Sequence, residues 1–221
     1  MRVEAACEAE VLTPAPTAIR LTLAPLDAFF LFNLLLFLSM AGTVYHRRLM
    51  QYRGGPCWGE FMFYAVLVIL AIAVVWAVFR RLLAPVWLLG LVQMGILAHF
   101  AGGLSFWGGI RLYDHIFFGV RYDKLVHFIN SFTAALVVRQ MLAVMGVRPG
   151  GLTRLTIVLT VLGLGALWEI CEYTALLTIP HNGVGDYDNN MQDLVANAFG
   201  GLAFLLAPLP GLVRQRLRRQ S

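Results

Sequence analysis

Apolar residues fill this chain in blocks of about twenty, separated by short polar stretches. A helix rising 1.5 Å per residue needs about twenty such residues to cross a hydrocarbon layer some 30 Å thick. Six spans are predicted, over roughly 28–45, 60–79, 84–103, 124–146, 155–177 and 192–210, with Pro85, Pro208 and Pro210 limiting the third and the sixth. The first two hold little besides Leu, Phe, Val, Ala and Ile, with Asn33 and Ser39 as exceptions, and read as anchoring and packing elements. The architecture expected is all-α: a polytopic transmembrane bundle over 28–210, a Pro-containing polar tail at 1–27 and a basic tail at 211–221. The stretch 104–122 carries Phe106, Trp107, Tyr113, Phe117, Phe118 and Tyr122, a density of aromatics that suits the headgroup level. It should lie in the interface and roof the helix ends, with Asp114 and His115 solvated. No internal repeat is expected.

Composition agrees with the pattern. The chain is 59% hydrophobic and 13% charged, with a mean hydropathy of +0.74, which leaves no room for a soluble domain. The net charge of +5 comes from short loops and from Arg214, Arg216, Arg218 and Arg219, with no stripe that could track nucleic acid. With six spans, one side collects Arg2, Arg20, Arg80, Arg81, Arg148, Arg154 and the tail arginines. The other holds Arg47, Arg48, Arg53, Arg111, Arg121 and Lys124. The richer side, with both termini, is expected to be cytoplasmic. Cys7, Cys57 and Cys171 are scattered and form neither a disulfide framework nor a zinc ribbon. The first span is expected to be retained, because the residues before it include Glu4, Glu8 and Glu10 and lack the basic start of a cleaved signal.

The polar residues of the second half change the picture. In the third span Gly95, His99 and Gly103 recur every four residues and put an imidazole on a small face. The fourth opens with Asp123, Lys124 and His127, with Ser131 one turn further. The fifth ends with Glu169 and Glu172 three apart, and a carboxylate at membrane depth costs about 2.5–3.5 kcal/mol on insertion scales. The sixth opens with Asp193 and Asn197 after a loop containing Asp186, and Asn190 or Asp193 suits its N-cap. Asp186, Asp188 and Asn190 imitate a calcium loop, but Met191 stands where Gly is needed and Asn197 where Glu belongs.

Alternating helix direction brings these four ends to one side of the bilayer. At 1.5 Å per residue, His99 and Glu169 lie about 9 Å below the near surface, Asn197 about 7 Å and His127 about 5 Å. A layer of His99, His127, Glu169, Glu172 and Asp193 is a mixed N/O set that accepts Zn, Mn or Fe, and by its carboxylates Mg or Ca. Without metal, His127 and Glu169 make an acid/base pair. In either case His127 and Glu169 are expected at the centre, with Asp123, Lys124, Asn197 and Asp186 supporting. Lys124 should point about 100° away toward the headgroups.

The segments His99-Phe100-Ala101-Gly102-Gly103, Tyr122-Asp123-Lys124-Leu125-Val126-His127-Phe128, Trp168-Glu169-Ile170-Cys171-Glu172-Tyr173, and Gly185-Asp186 with Asp193, Asn197 and Gly200 fall in an order that resembles the YjdF-like bacterial inner-membrane proteins. Parts of the set also resemble the VanZ-like group, a member of which is associated with glycopeptide-antibiotic resistance. The resemblance covers about residues 95–205 and implies a polytopic helical fold in a bacterial inner membrane without supplying a reaction. The chain departs from the YjdF-like pattern at Lys124, where Arg is expected, and at Asp188-Asn189-Asn190, where a Trp-Asp-Thr type of run is usual. Residues 188–190 are therefore not expected in the site.

Two function classes remain open. One is a catalyst, metal-dependent or not, acting on a lipid or lipid-linked substrate at the extracytoplasmic face. The other is a non-catalytic membrane subunit or ligand-binding protein of a larger complex. A transporter ranks third, because the polar layer stops short of any path across.

Overall fold

The computed structural model describes residues 24–179 and 185–207. Among them are six helices: α1 Pro25–Arg53, α2 Trp58–Phe79, α3 Val86–Leu104, α4 Tyr122–Val144, α5 Gly151–Thr178 and α6 Tyr187–Leu206. The first five are long and apolar enough to cross a membrane. The sixth has 20 residues but carries Asp188, Asn189, Asn190, Asp193 and Asn197, of which Asn190, Asp193 and Asn197 are buried. Residues 1–23, 180–184 and 208–221 lie outside the described residues, and with them nearly all of the N-terminal tail, Cys7, Pro208, Pro210 and the basic tail.

Several boundaries differ from expectation. The first helix starts at Pro25, which the sequence assigned to the tail, and Asp27 accepts the Ala24 backbone N–H at 3.2 Å. It continues through a π-helical turn at Ala41–Tyr45 to Arg53 and ends at Gly54, whose φ is +69°. The sixth starts five residues early. Its N-cap is Asp186, not Asn190 or Asp193, and the Asp186 carboxylate accepts the Asn189 N–H at 2.9 Å. A carboxylate with extended backbone satisfies an orphan donor of the first turn there, so residues 187–191 become helix instead of loop.

Packing concentrates in α4, α5 and α6. Leu136 and Ala135, Ile157, Val158 and Val161, and Phe204 meet Leu88 of α3 in one buried cluster. Close approach of α4 and α6 depends on Gly200: a Cβ there would come within 2.9 Å of Ser131 Cβ and 3.1 Å of the Phe132 nitrogen. By contrast, α2 has no buried residue. Its surface is apolar all round, which is the composition of a helix solvated by hydrocarbon. Asn33 and Gln93 join α1 to α3 by a 2.7 Å hydrogen bond, and Trp76 donates to Asp27 at 2.8 Å between α2 and α1.

Between α3 and α4 the chain makes two antiparallel hairpins, β1 Phe106–Trp107 with β2 Ile110–Arg111 and β3 Ile116–Phe117 with β4 Val120–Arg121. A 3₁₀ turn, Leu112–Asp114, joins them. The two hairpins repeat at an interval of ten residues, a repeat the sequence reading did not expect. The Leu112 N–H donates to Ser105 O, and the Tyr122 N–H to His115 O. Their two-residue tips, Gly108-Gly109 and Phe118-Gly119, all have positive φ, as the tightest hairpin turns require.

Candidate functional site

The first two turns of α4 supply the centre. Asp123 and Lys124 are buried, and the His127 side chain is 13% exposed. The Lys124 Nζ donates to Asp123 Oδ2 at 2.9 Å, Asp193 Oδ1 at 2.7 Å, and Asn189 at both Oδ1 (2.9 Å) and the carbonyl (3.1 Å). This corrects the expectation that Lys124 leaves toward the headgroups. A helical rotation of 100° fixes where Cβ starts, but a four-carbon stem lets the ammonium curl back to two buried carboxylates.

Asn189 was excluded on the motif comparison, yet its amide is central. Its oxygen accepts from Lys124 and, at 3.2 Å, from Arg121, and its nitrogen donates to Asp193 Oδ2 at 2.8 Å. One sequence signal pointed to it: Asn189 and Asp193 are four apart on a helix face.

His127 lies between carboxylates on both edges of its ring. Nε2 faces Asp193 Oδ1 at 3.4 Å and Asp123 Oδ1 at 3.6 Å, while Nδ1 faces Glu169 Oε1 at 3.7 Å. All three separations exceed the usual range of an N–H···O hydrogen bond. Asp123, His127 and Asp193 each offer a ligand atom within 4.8 Å of the others. Glu169 is 3% exposed, and neither carboxylate oxygen has a hydrogen-bond partner among the described residues. Its backbone carbonyl accepts from the Asn190 side chain at 3.0 Å, which ties α6 to α5.

The other expected residues take different places. His99 is outside this group; its Nδ1 pairs with the hydroxyl of Tyr113, whose ring covers Gly102. Glu172 accepts from the Trp168 indole at 2.7 Å, one turn back on its own helix. Asn197 gives its carbonyl to Ser131 Oγ at 2.8 Å and sets its amide against Gly165, so it seats α6 between α4 and α5. Asp186 is the helix cap. Above the site Asp114 is clamped, where a solvated residue was expected: Arg111 Nε donates to it at 2.9 Å and Arg121 Nη2 at 2.6 Å. Burial, the largest influence, pushes the Asp114 carboxyl up, but hydrogen bonds and charge from the two guanidiniums outweigh it and hold the group below its ordinary 3.8.

No curated protein and no solved structure matches the chain. A family model described as a predicted membrane protein (DUF2238) matches residues 29–209. The long apolar helices and that match agree, and the chain belongs to this family of membrane proteins as a multi-pass member.

Proposed function

We propose that this protein binds a divalent cation between His127, Asp123 and Asp193 and uses it in catalysis on an amphiphilic, lipid-type substrate. The observation that carries this is the spacing around His127 Nε2. Two ligands each about 2.1 Å from a tetrahedral ion lie about 3.4 Å apart, and Nε2 stands 3.4 Å and 3.6 Å from the two aspartates. The charge count supports the same reading: if Asp123, Asp193 and Glu169 were all ionised they would carry three negative charges against one ammonium on Lys124, and one divalent ion would make that group neutral. Glu169, on the opposite edge of the ring, fits the carboxylate that orients a ligating histidine through its other nitrogen. This reverses the roles expected from sequence: Asp123 becomes a ligand and Glu169 the orienting partner. A mixed N/O set of this kind suits Zn, Mn or Fe. Bound with an open position, such an ion would polarise a phosphoryl or acyl oxygen or acidify a water. His127 and the aspartates would hold it, and Lys124 would keep Asp193 ionised and in place.

The side of the membrane and the cell compartment belong to the same proposal. The arginine distribution supports an extracytoplasmic site with cytoplasmic termini, and the YjdF-like and VanZ-like motif order supports a bacterial inner membrane. Elemental analysis of the detergent-purified protein tests the core of the reading. About one equivalent of divalent metal is expected, lost in His127→Ala and Asp193→Asn and weakened 10–100-fold in Glu169→Gln. A folded protein without metal, with the same variants silent in any phenotype, would favour the non-catalytic subunit instead.

A further inference from the structure

We propose that His99 and Tyr113 form a proton-relay pair on the α3 side of the charged centre, serving the hydrolysis of an ester bond in the substrate. The inference rests on the reading above and adds to it the groups that move protons.

Helix register puts the pair beside the centre. At 100° per residue, Asp123, His127 and Asn130 fall within about 60° of one another on α4, and Gly95, His99 and Gly102 do so on α3. Gly95 and Gly102 are buried, so His99 stands on the inward line of its helix. The two faces meet where Asn130 lies on Gly95: a Cβ there would overlap the Asn130 side-chain oxygen. One turn from this contact, toward the hairpins, come His99 on α3 and His127 on α4. The Tyr122 hydroxyl then closes the same seam by donating to the Ala98 carbonyl at 3.2 Å. The far side of the centre is shut, since the Asp193 and Glu169 side chains are 1% and 3% exposed against 10% for Asp123 and 13% for His127. The access that remains is therefore at the α4 residues. His99 and Tyr113 are themselves only half-buried. His99 lies outside the close group of possible ligands, the place of a residue that serves a bound substrate and not the ion.

Tyr113 reaches down from the roof into a recess that glycine leaves open, since a Cβ on Gly102 would overlap its ring. Its hydroxyl meets His99 Nδ1. In one tautomer Nδ1 donates to the Tyr113 oxygen and the hydroxyl proton is free; in the other the hydroxyl donates to Nδ1 and Nε2 carries the N–H. Either way the pair offers one donor and one acceptor at opposite ends. Burial pushes the Tyr113 hydroxyl above its ordinary range, and the carboxylates of Asp123, Glu172 and Asp193 add to this. The hydroxyl thus keeps a proton until His99 supplies the next. In ester hydrolysis the balance closes. The attacking water gives a proton to Nε2, the Nδ1 proton passes to the Tyr113 oxygen, and the hydroxyl proton goes to the leaving oxygen. That oxygen's bond to the acyl carbon or phosphorus breaks as the water oxygen forms its own. The pair ends neutral in its other tautomer, and exchange with water resets it.

The test uses the full chain in detergent, incubated with zinc, and two pairs of probe esters. One pair is p-nitrophenyl and phenyl hexanoate, the other methyl p-nitrophenyl and methyl phenyl phosphate. Phenolate leaves poorly without a proton, whereas p-nitrophenolate needs none. Tyr113→Phe keeps the ring on Gly102 and should slow the phenyl ester about 100-fold, the scale of one general acid, and the p-nitrophenyl ester only a few-fold. His99→Phe, which also removes the acceptor for the water proton, should slow both. Zinc content should be unchanged in both variants, and the pair that reacts tells an acyl from a phosphoryl substrate. Equal losses on the two esters in Tyr113→Phe, unchanged rates, or no hydrolysis of either pair by the parent would each overturn the relay. Zinc bound without this leaving-group dependence sinks the relay alone; the dependence without bound zinc sinks the earlier reading alone.

Discussion

Lys124 is the residue on which the charged centre turns. Its ammonium meets four oxygens, two of them on buried carboxylates. Removing one partner of a buried ion pair costs about 3–5 kcal/mol, since the other charge is left without compensation. Lys124→Met should therefore lower the melting temperature in detergent sharply, and added divalent metal should restore part of it. Lys124→Arg, the residue the motif resemblance favours, should lose far less. If Lys124→Met melts like the parent, the buried network is not ionised as described. At this scale the sequence was informative where spacing and helix direction decide: Asp123 and His127 stand four apart, and alternating helices bring Glu169 and Asp193 to the same side. It was misleading where the tip of a long side chain decides, as for Lys124, and where a capped first turn decides, as for Asn189.

The two hairpins between α3 and α4 form the element that roofs the centre. Their ten-residue repeat is short but present in the sequence, where Trp107, Gly109, Ile110 and Arg111 are matched in kind by Phe117, Gly119, Val120 and Arg121. It was overlooked because six residues are too few to stand out until backbone hydrogen bonds and positive-φ tips align the two hairpins. Asp114 joins them, as the shared acceptor of Arg111 and Arg121. Its carboxyl titrates below the ordinary value when folded, so the clamp's contribution is complete above about 3.8 and is lost as pH falls through the depressed value. Amide exchange of residues 105–121, corrected for intrinsic rate, should rise in that acid window before α4 opens. Asp114→Asn should show the fast exchange at neutral pH and lose the acid step. The clamp is about one-third exposed, so the effect should be local and modest.

For the whole molecule, hydropathy made the membrane class and the five apolar spans legible, since about twenty apolar residues leave a helix few alternatives. The helix ends were less legible, because caps and polar extensions such as His46–Arg53 set them. Sidedness is open to direct measurement. In a background without native cysteines, Trp107→Cys should react with an impermeant thiol reagent added outside intact cells, and Gly150→Cys should not. The opposite pattern would place the hairpins and the site on the cytoplasmic face and leave the cluster itself untouched.

The polarity of α6 has a consequence for how the protein is made. The membrane receives α4 and α5 first, so Asp123, Lys124 and Glu169 are already in place when Asp193 leaves the ribosome. Until then Lys124 has only its neighbour Asp123 for an ionic partner among these residues. Among the described residues α6 is the helix that falls short of the apolarity of a membrane span, and its seating uses an ammonium and an asparagine-sized recess beside Gly165 that α4 and α5 supply. Insertion of α6 is thus a docking event on a half-built receptor. A chain truncated before Tyr187 would leave Lys124 with Asp123 as its one ionic partner among these residues and should be less stable in detergent than the full chain.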